Sequence, residues 1–138
     1  MKTKRTEDCK LCNPEKIKSK EHLKIKDYKH WTLYIGLSHQ CIGWSNVVLK
    51  RHAEFLEELN EKEFEELKKI IREWKKALGK LFKPNWCNIM QLGNSTQHLH
   101  FLLVPRYNHS VKYRGRNFVD KDYGHMLKER FKLESDAF

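Results

Sequence analysis

Cys9 and Cys12 form a Cys-x-x-Cys pair near the start of the chain. That spacing lets one turn present two thiolates to a single ion, which is half of a four-ligand site. A second group follows much later, where His98 and His100 flank Leu99 directly after the polar string LGNSTQ. Residues two apart on a strand share a face. Both imidazoles therefore emerge on one side with Leu102 and Val104, while Leu99, Phe101 and Leu103 point to the other. A neutral imidazole is a competent nucleophile or metal ligand when one ring nitrogen is free and the other is held by an acceptor. Asn94 and Ser95 offer an amide, a hydroxyl and turn N–H groups that can hold oxyanion charge, or equally close an ordinary turn. Taken alone, the cysteine pair is equally compatible with two reduced thiols, and His-x-His with two hydrogen-bonded surface imidazoles. Cys41 and Cys87 have no such spacing and read as buried thiols.

These groups need elements to hold them. Segment 31–37 (WTLYIGL) reads as a strand from its β-branched and aromatic content, and 44–50 (WSNVVLK) as a second, with a turn over 38–43. Asn60 is a suitable N-cap, with Glu63 at the capping-box position. The helix it opens extends to about residue 81. Phe64, Leu67, Ile70, Ile71, Trp74, Leu78 and Leu81 recur at steps of three and four and form one core-facing stripe. Lys83, Pro84 and Asn85 break the helix. Segment 86–91 is a third strand, 92–97 a polar turn, and 98–104 a fourth strand ended by Pro105. Residues 1–22 read as an irregular arm bearing the two cysteines. Residues 108–138 read as a basic irregular tail with a short helix over 126–133. The sum is an α+β chain, one domain over residues 1–138.

The chain carries a net charge of +10 at pH 7. Residues 1–29 hold ten Lys/Arg against five acids, and residues 106–132 hold eight against three. Such basic arms suit polyanions such as nucleotides or nucleic acid, or a solvated surface. No apolar run approaches the roughly 18 residues of a membrane span. The opening MKTKRTEDCKLC is too polar for a secretory signal. A cytoplasmic location with reduced thiols is expected.

The string NIMQLGNSTQHLHFLLVPRY (residues 88–107) resembles the signature of the histidine triad family, in which a Gly-containing turn precedes HxHxH and often Pro-Arg. The segment LKRHAEFLEELNEKEF (residues 49–64) resembles that family's strand-to-helix entry. The likeness spans roughly residues 9–107. It implies an antiparallel sheet with one long helix. It also implies that His100 is the nucleophile toward an α-phosphate, giving a nucleotidyl-histidine that water then hydrolyses. Asn88, Asn94, Ser95 and His98 match positions around the phosphate. In the zinc-binding branch of the family, His52 and His98 complete the Cys9/Cys12 pair. The result is a closed Cys₂His₂ set, a structural Zn²⁺ that tethers the N-terminal arm. The implied function is a nucleotide hydrolase or nucleotidyl transferase, with dinucleoside polyphosphates as expected substrates. The alternative is a catalytically weak nucleotide- or RNA-binding module of the same fold. A homodimer paired through the long helix is also implied. Three departures stand out: Leu102 takes the third histidine's place, Trp44 follows Gly43 where many members have Gly-His, and Gly36 falls where many place an acid for the ribose.

Overall fold

The computed structural model describes residues 4–16, 22–36 and 41–127. The β-branched and aromatic runs form β2 (Trp31–Gly36), β3 (Ser45–Leu49), β4 (Trp86–Met90) and β5 (His100–Arg106), preceded by β1 (His22–Asp27). They make one antiparallel sheet in the order β1-β2-β3-β5-β4. The sequence reading begins its sheet at residue 31 and misses β1. The reason is visible in that strand: Leu23 and Ile25 are exposed and alternate with lysines, which suits a sheet edge rather than a core face.

Between β3 and β4 runs a long helix, Glu61–Leu81, preceded in the arm by a short one, Lys4–Asp8; we call these α2 and α1. The Asn60 side chain accepts from the Glu63 N–H, and the Glu63 carboxylate accepts from the Asn60 N–H. This reciprocal pair fixes the helix start as its sequence indicates. Leu67, Ile70, Trp74 and Leu78 pack on Trp31, Leu33, Val47, Leu49, Leu99, Phe101 and Leu103. The expected stripe is shorter than its periodicity suggests, because Phe64 and Leu81 at its two ends are 41% and 69% exposed. In the first turn Glu63, 2% exposed, rather than Phe64 takes the buried position.

The last strand differs from expectation at both ends. It begins at His100, because His98 and Leu99 lie before the β3 ladder and are held by separate bonds, Leu99 N–H to the Ala53 carbonyl and Leu49 N–H to the Leu99 carbonyl. It also runs through Pro105 to Arg106. Beyond Leu103, β3 no longer accompanies β5, so a proline there interrupts no ladder on that side. The tail is more ordered than expected. β6 (Val111–Tyr113) and β7 (Arg116–Phe118) form a hairpin whose turn residues Arg114 and Gly115 both have positive φ, 48° and 75°. The helix expected over 126–133 lies mostly outside the described residues. Among the described residues no helix is long and apolar enough to cross a membrane.

Candidate functional site

The odd-numbered residues of β2, β3 and β5 face α2. The even-numbered ones form the opposite face. Cross-strand register aligns Thr32, Val48 and His100 in one row and Tyr34, Asn46 and Leu102 in the next. The arm and the turn before His98 lie over this face, and two sites form there.

The first is a cluster of ligand atoms. Cys9 Sγ, Cys12 Sγ, His52 Nδ1 and His98 Nδ1 all lie within 4.8 Å of one another. His98 Nδ1 is 3.4 Å from Cys9 Sγ, 3.3 Å from Cys12 Sγ and 3.2 Å from His52 Nδ1, and Cys12 Sγ is 3.3 Å from His52 Nδ1. A tetrahedron with sulfur about 2.3 Å and nitrogen about 2.05 Å from its centre has S–N edges of about 3.5 Å and an N–N edge of about 3.3 Å. The observed edges fit a four-coordinate metal ion. Proton sharing explains them poorly, since four lone-pair atoms converge on one point.

The surroundings of His98 favour the neutral imidazole that a metal ligand needs. His98 is 1% exposed, and its Nε2–H donates to the Leu49 carbonyl at 2.6 Å, which leaves the Nδ1 lone pair for the cluster. Burial holds this imidazole below its ordinary pKa, with His52 and His100 pushing the same way against the Leu49 bond. The Cys12 N–H donates to Cys9 Sγ at 3.4 Å, which fixes the turn between the two sulfurs. His52 Nε2 makes no hydrogen bond and faces a Glu54 carboxylate oxygen at 3.7 Å.

Sequence reasoning passed over the groups that shape this cluster. Buried Asn13 donates from its amide to the carbonyls of Thr6, Glu7 and Cys9, folding the arm into the turn that aims both sulfurs. Arg51, beside His52, donates to both Glu63 carboxylate oxygens, at 2.6 and 3.0 Å, and so ties the His52 loop to the start of α2. An Asn immediately after Cys-x-x-Cys, and an Arg twelve residues before a capping Glu, were the only signals available.

The second site is a cleft of about 330 Å³ beside the cluster, lined by His100, Ser95, Thr96, Tyr34, Asn46, Lys10 and Leu11 among others. The His100 Nδ1–H donates to the His98 carbonyl at 2.6 Å. A carbonyl only accepts, so the bond places a proton on Nδ1, and in the neutral ring the lone pair is on Nε2. Ser95 joins His100 in this cleft. Asn94 is exposed in the same turn and does not line it. Asn88 lies elsewhere, in a larger cavity of about 1000 Å³, where its amide oxygen accepts from Arg106. Arg106 also grips the buried Asp120 through two bonds, at 2.6 and 3.2 Å.

The three departures from the motif are connected by packing. Leu102 borders both cavities and packs on Cys41, Trp44 and Val104. A Cβ on Gly36 would meet Trp44 Cδ1 at 2.9 Å, so the absence of a side chain at 36 and the presence of indole at 44 belong together. Cys41 is fully buried, and burial pushes its thiol up to about 12. Cys87 is half-buried and raised by the same cause.

The sequence profile of the HIT domain matches residues 24–109, more than half of the chain. No curated protein matches the chain in sequence. Several solved structures match in fold. A HIT family member from Bacillus subtilis has 18% identity and a TM-score of 0.63, covering 95% of this chain and 86% of its own. A Zn-bound histidine triad family protein from Mycobacterium smegmatis has 15% identity and a TM-score of 0.61, covering 85% of this chain and 86% of its own. A histidine triad protein from Bradyrhizobium japonicum has 23% identity and a TM-score of 0.59, covering 70% and 71%. With the profile spanning the sheet, the helix and the paired histidines, the chain belongs to the HIT family, and it carries a Cys/His cluster positioned to hold a metal ion.

Proposed function

We propose that this chain is a nucleotide-binding HIT protein of low hydrolytic power, in which a structural zinc ion braces a phosphate-binding cleft beside His100. One observation carries the emphasis on binding. Among the described residues the cleft is lined by one histidine, His100, and the strand position two residues on is Leu102, whose alkyl group can neither protonate a leaving group nor hold a phosphate oxygen. Ser95 and Thr96 supply hydroxyls, and Tyr34 and Asn46 supply polar groups on the sheet side. Asn94, Asn88 and His98 retain supporting roles in this reading: Asn94 by shaping the turn, Asn88 through Arg106, and His98 through its carbonyl.

Zinc is the metal best suited to two thiolates and two imidazoles at tetrahedral spacing, and a Zn-bound relative shares the fold. When bound, the ion supplies cross-linking rather than chemistry, since four protein ligands leave no open position. The cysteines, none bridged to another, suit a reducing cytoplasm. A homodimer is supported by apolar groups left exposed on α2 and the edge strand β4, among them Phe64, Leu81, Trp86 and Ile89. The net charge of +10 and the exposed basic residues Lys112 and Arg114 support RNA ends as a second ligand class.

The enzyme reading, a hydrolase or nucleotidyl transferase acting on dinucleoside polyphosphates, has its own support in the His100 geometry. The Nε2 lone pair would form an N–P bond as the P–O bond to the leaving group breaks, and water would then release the nucleotide. The experiment that separates the readings uses calorimetric titration with AMP and incubation with an α-phosphate-labelled dinucleoside polyphosphate. Saturable AMP binding with little acid-labile label on the protein supports the binding module. Stoichiometric label at His100, lost in His100→Ala, supports the enzyme. Absence of AMP binding would reject the proposed ligand class.

A further inference from the structure

Lys10 lies between the two metal cysteines, and it is also the one permanently charged side chain among the described residues that line the His100 cleft. Leu11 and Pro14 from the same arm line it too. The arm therefore forms one wall of the cleft, with His100 and Ser95 on the other side. Among the described residues, Asn13 binds the arm to itself through Thr6, Glu7 and Cys9. The convergence of Cys9 and Cys12 on His98 and His52 ties it to the sheet and the loop after β3. We infer that Lys10 is the cation that holds the ligand's phosphate, and that metal binding at Cys9, Cys12, His52 and His98 switches this cation into place. The protein would then be a metal-responsive nucleotide binder.

The coupling has two routes. The arm route brings Lys10 to the anion. The strand route runs through His98, whose ring enters the cluster and whose carbonyl accepts the His100 Nδ1–H. Coupling between two sites is reciprocal, so metal must tighten phosphate binding by the same factor that phosphate tightens metal binding. This inference rests on the reading of the cleft as a phosphate site.

The test is a thermodynamic cycle with AMP, adenosine and zinc as probes. In the zinc-loaded protein, Lys10→Met should weaken AMP binding roughly 5–20-fold, as loss of one charge-assisted contact does. Adenosine binding and zinc content should stay unchanged, and Lys10→Arg should retain AMP affinity. In the metal-free Cys12→Ser background, Lys10→Met should cost nothing further, because the lysine is no longer held over the cleft. Should Cys12→Ser fail to fold, zinc competition with a chromophoric chelator reads the same cycle. Saturating AMP should then tighten zinc several-fold in the parent and much less in Lys10→Met. A loaded parent that binds AMP no better than Lys10→Met overturns the inference alone. Equal losses from Lys10→Met with and without metal would keep the cation but overturn the switch. A loaded parent that binds no AMP overturns the phosphate reading and this inference with it.

Discussion

The Nδ1–H of His100 donates to the carbonyl of His98 at 2.6 Å, while the His98 ring faces the opposite task of completing the Cys/His cluster. One dipeptide step thus links the Cys/His cluster to the cleft. The orientation of His100 depends on the backbone at residue 98, and the next residue, Leu99, bonds to Leu49 and Ala53 on either side of His52.

Zinc content and stability should fall together. Cys12→Ser and His52→Ala each remove one of four ligands, and metal binding contributes to folding because the site does not pre-exist in the unfolded chain. Elemental analysis should find about one zinc per parent chain and much less in either variant. Differential scanning calorimetry should show Tm lowered by about 10 °C or more, since each kcal/mol moves a chain of this size by roughly 3–5 °C. Unchanged zinc in Cys12→Ser would remove the cluster from consideration as a metal site.

Leu102→His should trade stability for proton delivery. Leu102 packs on Cys41, Trp44 and Val104, so an imidazole there loses apolar contact and costs about 1–3 kcal/mol in urea unfolding. An amine leaving group must be protonated to depart, whereas a nucleoside diphosphate departs as a stable anion, and general acid help is worth about 10²–10⁴-fold. Residual cleavage by the parent should favour a dinucleoside polyphosphate over a nucleoside phosphoramidate, and the variant should narrow that kcat/KM ratio. Equal rates on both substrates in the parent would mean that another group supplies the proton.

Gly36 and Trp44 should behave as one unit. Gly36→Ala places a Cβ 2.9 Å from the indole and 3.3 Å from the Trp44 carbonyl, an overpacking that costs about 1–3 kcal/mol. In a Trp44→Ala background the indole term disappears, so most of that cost should vanish. A double-mutant cycle with additive losses would show that the two departures from the family motif are unrelated.

Arg106 is a lock between β5 and the segment after β7. Its guanidinium and the Asp120 carboxylate are nearly inaccessible to solvent, and it also donates to Asn88 and the His125 carbonyl. Arg106→Met strands a buried carboxylate and should destabilise by about 3–5 kcal/mol, more than the paired Arg106→Met/Asp120→Leu replacement. Proteolysis near residues 119–127 should accelerate in the single variant. Equal stability of the single and double variants would argue that the pair is not coupled.

Acid should weaken the His52 loop through Glu63. Its carboxylate is held below the ordinary value of 4.5 chiefly by the Arg51 hydrogen bonds, opposed by burial and helped by the Asn60 N–H. A lowered folded-state pKa gives stability that is complete above the unfolded value and is lost as pH falls through the folded one. The stability difference between parent and Glu63→Gln should therefore be largest above pH 5 and shrink on acidification below 4.5. A difference independent of pH between 6 and 3 would show that the ion pair contributes nothing to the linkage.

Much of the architecture follows from local pattern. The runs at β2, β3 and β4, the Asn60–Glu63 capping box and the alternation through β5 each bear their own signal, because strand faces and helix stripes are set by residues near one another in the chain. β1 was hidden because an edge strand needs no buried face. The β6–β7 hairpin was hidden because Arg114 stands at a positive-φ turn position more often held by Asn or Gly.

For the site, the sequence by itself determined the residue types and their order: the Cys-x-x-Cys pair, His52, the His-x-His strand and the leucine after it. Spacing along a strand decided which side chains share a face. Only the tertiary structure decided that sulfurs 89 and 86 residues from His98 reach 3.4 and 3.3 Å from its ring, that Lys10 comes with them into the cleft, and that Asn88 is drawn away to Arg106. Those outcomes depend on sheet order and on how an arm without strong local periodicity is tied down. They are long-range distances, set by packing and ligand convergence, on which local propensity has no hold.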